Sequence, residues 1–417
     1  MNKNLCKRGS TCRLCESGDV ELVLSLTSTP PANAFVTIEK LNIKQNVFPL
    51  EVFICMNCSH IQLLDVIDPS YLFENYVYVS GTSSVFIRHF EDYAATISDR
   101  ISANSSGKLV VDIGSNDGTL LAKFKNRGFR VLGIDPARGI AGEASARGIE
   151  TKVAFFTSLL AQDIRESMGP AQIVCANNVF AHADDLIDIT KGVRTLLAPD
   201  GLFVFEVSYL VDVLQKTLFD TIYHEHLAYH SVSPLKRFFL SQGLEFVGVQ
   251  RVDAHGGSLR GIVQLFGGPH KVEPSIDAAV ILEESLNLDK IETFQRFAKD
   301  IDECKAKLLS YVMEAKSLGK SIAGFGAPAK ATTLMYHFGL GPEEIDFIVD
   351  DSPLKQGMYT PGIHIPVLQS KALYRKKPDI VLILAWNFAE SIMKKHKEFL
   401  NQGGEFLVPL PYFQRFN

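Results

Sequence analysis

Residues 110–121 read Val110-Val111-Asp112-Ile113-Gly114-Ser115-Asn116-Asp117-Gly118-Thr119-Leu120-Leu121, and this stretch decides the fold. An apolar run carries an acidic residue near its end, a glycine-bearing turn follows, and Leu120 to Phe124 open a helix. A strand, a tight loop and a helix N-terminus in that order are where an open parallel sheet holds a nucleotide cofactor. A pyrophosphate-binding turn needs three spaced glycines; here only Gly114 and Gly118 stand in the loop, among Asp112, Asn116 and Asp117. So acidic a loop repels pyrophosphate and suits a cationic or zwitterionic ligand. About 20 residues on, where this fold keeps its ribose-binding carboxylate, Phe129-Arg130-Val131-Leu132-Gly133-Ile134-Asp135 is a second strand ending in an acidic residue. Asp135 is placed there to accept both ribose hydroxyls.

Strand and helix patterns alternate outward from this unit. Strands are predicted over 109–113, 130–134, 173–176 and 201–207, with helices between them and a further helix from 84 to about 103 ahead of them. A helix over 235–242 is followed by two antiparallel strands, 244–252 and 259–266. The glycine turn and Asp135 resemble motif I and the acidic residue of class I S-adenosylmethionine-dependent methyltransferases, whose doubly wound sheet ends in such an antiparallel pair. That resemblance implies S-adenosylmethionine on the face formed by Asp112, Gly114, Ser115, Asn116, Asp117, Gly118 and Asp135, joined by Asn177 and Asn178 at the end of the third strand.

Gly267-Gly268-Pro269 breaks the pattern, and a long amphipathic helix from about 288 to 318 follows, with Phe294, Phe297, Ile301, Leu308 and Val312 on its apolar side. The α/β alternation then restarts with strands over 321–325, 345–349, 380–385 and 405–409. Gly324-Phe325-Gly326-Ala327-Pro328-Ala329-Lys330 is a second strand-to-helix glycine turn, and Asp350 ends the next strand. Its backbone amides at a helix start, with Lys330 nearby, suit an anionic group. The expected organisation is an N-terminal domain over 1–80, a class I methyltransferase domain over 81–268 and a Rossmann-like α/β domain over 269–417.

A chain of 417 residues has room for two or three domains, each with its own core. Its 46% hydrophobic and 21% charged residues are those of a soluble globular enzyme. A net charge of −5 argues against nucleic acid as the main partner, because phosphate binding needs a basic face. Met1 to Ser10 hold Lys3, Lys7 and Arg8 without an apolar core, so no signal peptide is expected, and no apolar run is long enough to span a membrane. A cytoplasmic monomer is the expectation.

Cys12-Arg13-Leu14-Cys15 and Cys55-Met56-Asn57-Cys58 are two Cys-x-x-Cys knuckles. Two residues between cysteines let both thiolates reach one tetrahedral Zn2+, and the second pair closes the shell. Cys12, Cys15, Cys55 and Cys58 therefore predict a structural zinc site, since catalysis needs an exchangeable position. His60 is not needed as a ligand, and metal-type cysteine spacing fits a reducing compartment.

Thr221-Ile222-Tyr223-His224-Glu225-His226-Leu227-Ala228-Tyr229-His230 is the densest run of acid–base groups in the chain. It follows the 201–207 strand and should lie at the carboxyl ends of the sheet, where the cofactor binds. His224 and His226 are only two apart, unlike the four-residue spacing of helical zinc histidines, so acid–base work on a substrate is the better reading. The residues alone do not choose between the two histidines. His182 follows the third strand on the same face. Arg260, in His255-Gly256-Gly257-Ser258-Leu259-Arg260, is a candidate for an anionic group.

Taken in order, the knuckles, Phe48-Pro49-Leu50-Glu51, Tyr76-Val77-Tyr78-Val79-Ser80-Gly81, the 112–118 turn, Tyr223-His224-Glu225-His226, the 255–260 run, the 324–330 turn and Lys355-Gln356-Gly357-Met358-Tyr359-Thr360-Pro361-Gly362 resemble the sugar C-methyltransferases. These act on nucleotide-linked keto-deoxysugars, such as the C-3' methyltransferases of branched deoxysugar biosynthesis. The resemblance runs from about Cys12 to the C-terminus. It implies a zinc-binding domain, a methyltransferase domain and a C-terminal domain that binds the nucleotide sugar, C-3' of a dTDP-4-keto sugar being the site of methylation. It further implies His226 as the base that forms an enolate, with Glu225 orienting it and Tyr223, His182 and Tyr76 lining the sugar pocket. Tyr78, Ser80, His224, Arg260, Gly326 and Lys330 are then expected toward the substrate. Phe325 stands where the family pattern leads one to expect tyrosine.

Two other functions compete. A small-molecule O- or N-methyltransferase would not need so strong a base beside the donor. A non-catalytic zinc-containing nucleotide-binding protein would not need the histidine cluster.

Overall fold

The Leu109–Ile113 strand is buried at all of its positions, as expected of a parallel strand covered on both faces by helices. In this computed structural model, which describes residues 5–74, 81, 84–101, 106–254 and 256–417, it lies in a seven-stranded sheet. Across the sheet the strands run Leu244–Val252, Ser258–Leu265, Leu197–Ser208, Ala171–Asn177, Leu109–Ile113, Arg130–Ile134 and Thr151–Lys152. Ser258–Leu265 is antiparallel to both neighbours, and the five strands beyond it are parallel. This is the class I methyltransferase order. Tyr76, Tyr78, Ser80 and His255 lie outside the described residues.

The N-terminal region forms a four-stranded antiparallel sheet from Val20–Thr29, Phe48–Cys55, Ile61–Leu63 and a fourth strand, Ala228–Tyr229, lent by the central region. That last strand begins two residues after His226. The loan ties the histidine-rich loop to the zinc-binding region.

The C-terminal sheet has six strands, in the order Val367–Leu368, Phe347–Val349, Ile322–Phe325, Ile380–Ile383, Glu405–Val408 and Gln414–Phe416, with only the last antiparallel. The two edge strands were not expected, being short and polar or flanked by proline. The amphipathic stretch is one helix, Ile291–Ser317, with Phe294, Phe297, Ile301, Leu308 and Val312 buried, and a helix that was not predicted, Ser275–Ser285, precedes it. Ser275–Ser285 packs on the Leu244–Val252 strand of the central sheet, while Ile291–Ser317 and Ala329–Phe338 pack on the N-terminal Val20–Thr29 strand. The three regions thus share one continuous apolar core. No helix among the described residues is long and apolar enough to cross a membrane.

Candidate active site

The cofactor turn is built by residues that leave the usual backbone regions. Gly114, Asn116 and Gly118 have φ of 69°, 51° and 75°. A Cβ on Gly114 would sit 2.3 Å from Val179 Cγ2, so only glycine lets the turn pass this close to the end of the Ala171–Asn177 strand. The turn is held by carboxylates. Asp135 accepts from the amides of Asn116 and Ala137, both at 2.9 Å. Asp117 accepts from Thr119 N and Oγ1 at 3.2 and 2.7 Å and from the Gly81 amide at 3.2 Å. Asp117 therefore frames the helix start.

Burial, reinforced by Asp135, pushes the Asp112 carboxyl up to about 8. Burial also raises Asp135. At the ends of adjacent strands the Asn177 amide oxygen and nitrogen and the Ser115 hydroxyl are buried without a hydrogen-bond partner among the described residues. Leaving such groups unmade is costly. Unsatisfied donors and acceptors beside an acidic turn fit a polar, positively charged cofactor such as S-adenosylmethionine.

The histidine loop is joined to this turn through the segment after the Ala171–Asn177 strand, where Val179 lies against Gly114, the Ala181 carbonyl accepts from the Ala228 amide and His182 stacks on His226. His226 donates from Nδ1 to the Thr221 carbonyl at 2.8 Å, and its amide donates to Tyr223 O at 2.8 Å. A backbone carbonyl can only accept, so the neutral ring carries its proton on Nδ1 and its lone pair on Nε2. The Tyr223 ring lies 4.0 Å from the His226 ring, and His182 stacks on it at 5.0 Å. His182 stacks in turn on Phe73 at 5.8 Å. Glu225 accepts from Asn33 Nδ2 at 2.9 Å, and its charge is felt at the buried Lys355. Thr221, not Glu225, supplies the acceptor at Nδ1.

Four sequence expectations are corrected here. His224 is buried, with Nε2 against the carbonyls of Phe48 and Pro49 at 3.3 and 3.1 Å, so it clips the loop to the N-terminal sheet instead of facing substrate. Arg260 is consumed in a buried pair with Glu206, which lies opposite it in the sheet, and stacks 4.4 Å over Tyr93. Glu206 also meets His89 Nε2 at 2.7 Å. In the second glycine turn, the Gly326 and Ala327 amides already donate to Val349 O and to Asp350, at 2.7 and 2.6 Å. Lys330 is buried with Nζ 3.4 Å above the Trp386 ring, and desolvation depresses it to about 8 against the pull of Asp220. Neither turn amide nor ammonium faces an outside anion. Phe325 packs its ring on His396 at 4.9 Å.

The metal expectation holds. The closest sulfur pairs, Cys12–Cys58 and Cys15–Cys55, are each 3.5 Å apart, and all four Sγ atoms lie within 4.8 Å of one another. A tetrahedral zinc with bonds of about 2.3 Å needs sulfurs roughly 3.8 Å apart, so the cluster fits a closed four-thiolate site. His60 lies apart from it, stacked on His230. Arg13, within the first knuckle, bonds Gln62, Asp184 and the Leu63 carbonyl and reaches Leu227 O at 3.5 Å, one residue past His226. Thr221 and Lys355 stood only within longer motifs and were given no role, and Asn33 and Trp386 were not singled out. A backbone carbonyl or a lone asparagine in a proline-flanked loop leaves no spacing signal.

Three family descriptions match the chain in order. Residues 12–73 match a "Putative zinc binding domain", 86–249 a "Methyltransferase domain" and 253–411 a "C-methyltransferase C-terminal domain". The C-methyltransferase NovU of Streptomyces niveus is 39% identical over 400 residues, covering 96% of this chain and 95% of NovU. Among solved structures, magnesium protoporphyrin IX methyltransferase from Synechocystis PCC 6803 is 15% identical with a TM-score of 0.34, over 44% of this chain and 87% of that one. The CcbJ methyltransferase from Streptomyces caelestis is 14% identical with a TM-score of 0.33, over 42% and 89%. Scores this low carry no inference for this chain.

Proposed function

Since this chain belongs to the S-adenosylmethionine-dependent C-methyltransferases, the family of NovU, we propose that it methylates a carbon beside the ketone of a nucleotide-diphosphate keto-deoxysugar. The carbon is C-3' of a dTDP-4-keto sugar, and the route is an enolate. The observation that carries this reading is the Nδ1 bond from His226 to Thr221, which leaves the Nε2 lone pair as the proton acceptor.

A saturated carbon has no lone pair, so it must lose a proton before it can attack. His226 Nε2 accepts that proton, and the C–H electron pair moves into the new C=C bond while the carbonyl oxygen takes the negative charge. Tyr223 and His182, packed around His226, hold and polarise that oxygen. Glu225, fixed by Asn33, adds the negative charge that steadies the imidazolium. S-adenosylmethionine, when bound, supplies an electrophilic methyl group. Asp135 and the Asn177 amide would hold it with Asp112, while Gly114 allows its close approach. As the carbon takes that methyl, the methyl–sulfur bond would break with its electron pair left on the neutral thioether, and the ketone would be restored. The nucleotide sits toward the C-terminal region.

Incubating the protein with S-adenosylmethionine and a panel of nucleotide keto-sugars tests this. Mass spectrometry should find one added methyl, and NMR should place it on carbon. A methyl on oxygen or nitrogen would favour a small-molecule O- or N-methyltransferase instead.

A further inference from the structure

We propose that the C-terminal domain positions the catalytic base: Trp386 and Thr333 grip the residues on either side of Thr221 and so aim the carbonyl that sets the His226 tautomer. This rests on His226 as the base. Thr221 closes the short turn Phe219–Thr221, where its amide and hydroxyl both bond Leu218 O, at 3.1 and 2.7 Å. On one side Asp220, fully buried, accepts from Trp386 Nε1 at 2.6 Å. On the other, Ile222 O accepts from Thr333 Oγ1 at 2.8 Å. Both come from the C-terminal domain, Trp386 from the short turn Trp386–Phe388 that follows the Ile380–Ile383 strand and Thr333 from the helix Ala329–Phe338. That helix also stacks Phe338 on Phe219, with ring centres 5.0 Å apart.

The Asp220 pocket carries a buried cation as well. Lys330 Nζ lies over the Trp386 ring at 3.4 Å and has no hydrogen-bond partner among the described residues. Burying a carboxylate and an ammonium at a domain junction costs stability unless they are well held. Such groups can fix one geometry where an apolar contact would tolerate several. The geometry fixed here is that of Thr221, five residues before His226. A misplacement of about 1 Å at a base can cost roughly 100-fold in rate. Trp386 and Thr333 are thus positioning residues, acting through Thr221.

The full-length protein, labelled with 15N-histidine, provides the test. Trp386→Phe keeps the ring but removes the indole N–H; Thr333→Val keeps the shape but removes the hydroxyl. The His226 signals, assigned by their loss in His226→Asn, should report the Nδ1–H tautomer in the wild type and a mixed population in both variants. With the keto-sugar, kcat should fall roughly 10- to 100-fold, while KM for the sugar and Kd for S-adenosylmethionine stay unchanged. Folded variants that keep the wild-type tautomer and kcat would overturn the proposal. If Trp386→Phe fails to fold, Thr333→Val decides alone. A wild type that turns over no keto-sugar defeats the proposed function, and the tautomer measurement still decides this inference.

Discussion

His226 Nδ1 lies 2.8 Å from the Thr221 carbonyl, and that bond settles which nitrogen of the imidazole can take a proton. The loop between these two residues is anchored on every side. Phe48 and Pro49 receive His224, Asn33 holds Glu225, Thr333 holds Ile222, and the Leu227 carbonyl accepts from the Leu63 amide. A side chain so fixed needs little reorganisation when a substrate arrives.

The acidic turn should make cofactor binding depend on pH. Asp112, raised to about 8 by burial and then by Asp135, keeps a proton that the unfolded chain loses near pH 4. Its folded value is the higher one, so its stabilising contribution is full below about pH 4 and is lost as pH rises through about 8. A cationic cofactor favours the ionised form. Calorimetry should show S-adenosylmethionine affinity rising between pH 6 and 8, by up to about tenfold per unit. Asp112→Asn should flatten the profile; a flat wild-type profile contradicts this role.

Asp135 is expected to matter twice, to the ribose and to the turn. Asp135→Ala should weaken S-adenosylmethionine binding by roughly 1.5–3 kcal/mol. Asp135→Asn, which keeps an acceptor for the Asn116 or Ala137 amide, should lose less. Equal affinity in the wild type and the alanine variant would place the cofactor elsewhere.

Arg260→Met should harm folding and spare substrate binding. It leaves the buried Glu206 carboxylate with His89 as its remaining side-chain partner among the described residues, and breaking a buried pair from one side typically costs about 3–5 kcal/mol. Thermal unfolding should drop by several degrees while KM for the nucleotide sugar holds. A raised KM at unchanged stability would return Arg260 to the substrate.

Purified protein should hold about one zinc per chain, and Cys55→Ser should remove it. The loss should also slow turnover, because the first knuckle carries Arg13 and Arg13 reaches Leu227 O beside the base. Metal analysis that finds no zinc in wild type kept reduced and free of chelators would reject the site.

Much of this was legible because periodicity and spacing are local. The Leu109–Ile113 and Arg130–Ile134 strands stood at their predicted bounds, and the four cysteines met as their spacing required. The failures share one cause. Lys330 and Arg260 read as cations available to an anion, yet each is covered by a residue far off in the chain, the Trp386 ring and the Glu206 carboxylate. The Ala228–Tyr229 strand is two residues long and exists only through pairing with Gln62 and Ile61. No local pattern announces a partner so distant. Thr221 acts through its backbone, which every residue possesses.

Solvent deuterium exchange at the sugar carbon next to the ketone, followed without S-adenosylmethionine, isolates proton removal from methyl transfer. Wild-type protein should exchange that position. His226→Asn should slow both exchange and turnover by a factor of about 10^2–10^4 while binding S-adenosylmethionine normally, and His224→Asn, whose ring only clips the loop, should be milder in both. Near-normal exchange in His226→Asn, with exchange abolished in His224→Asn, would contradict the assignment of the base.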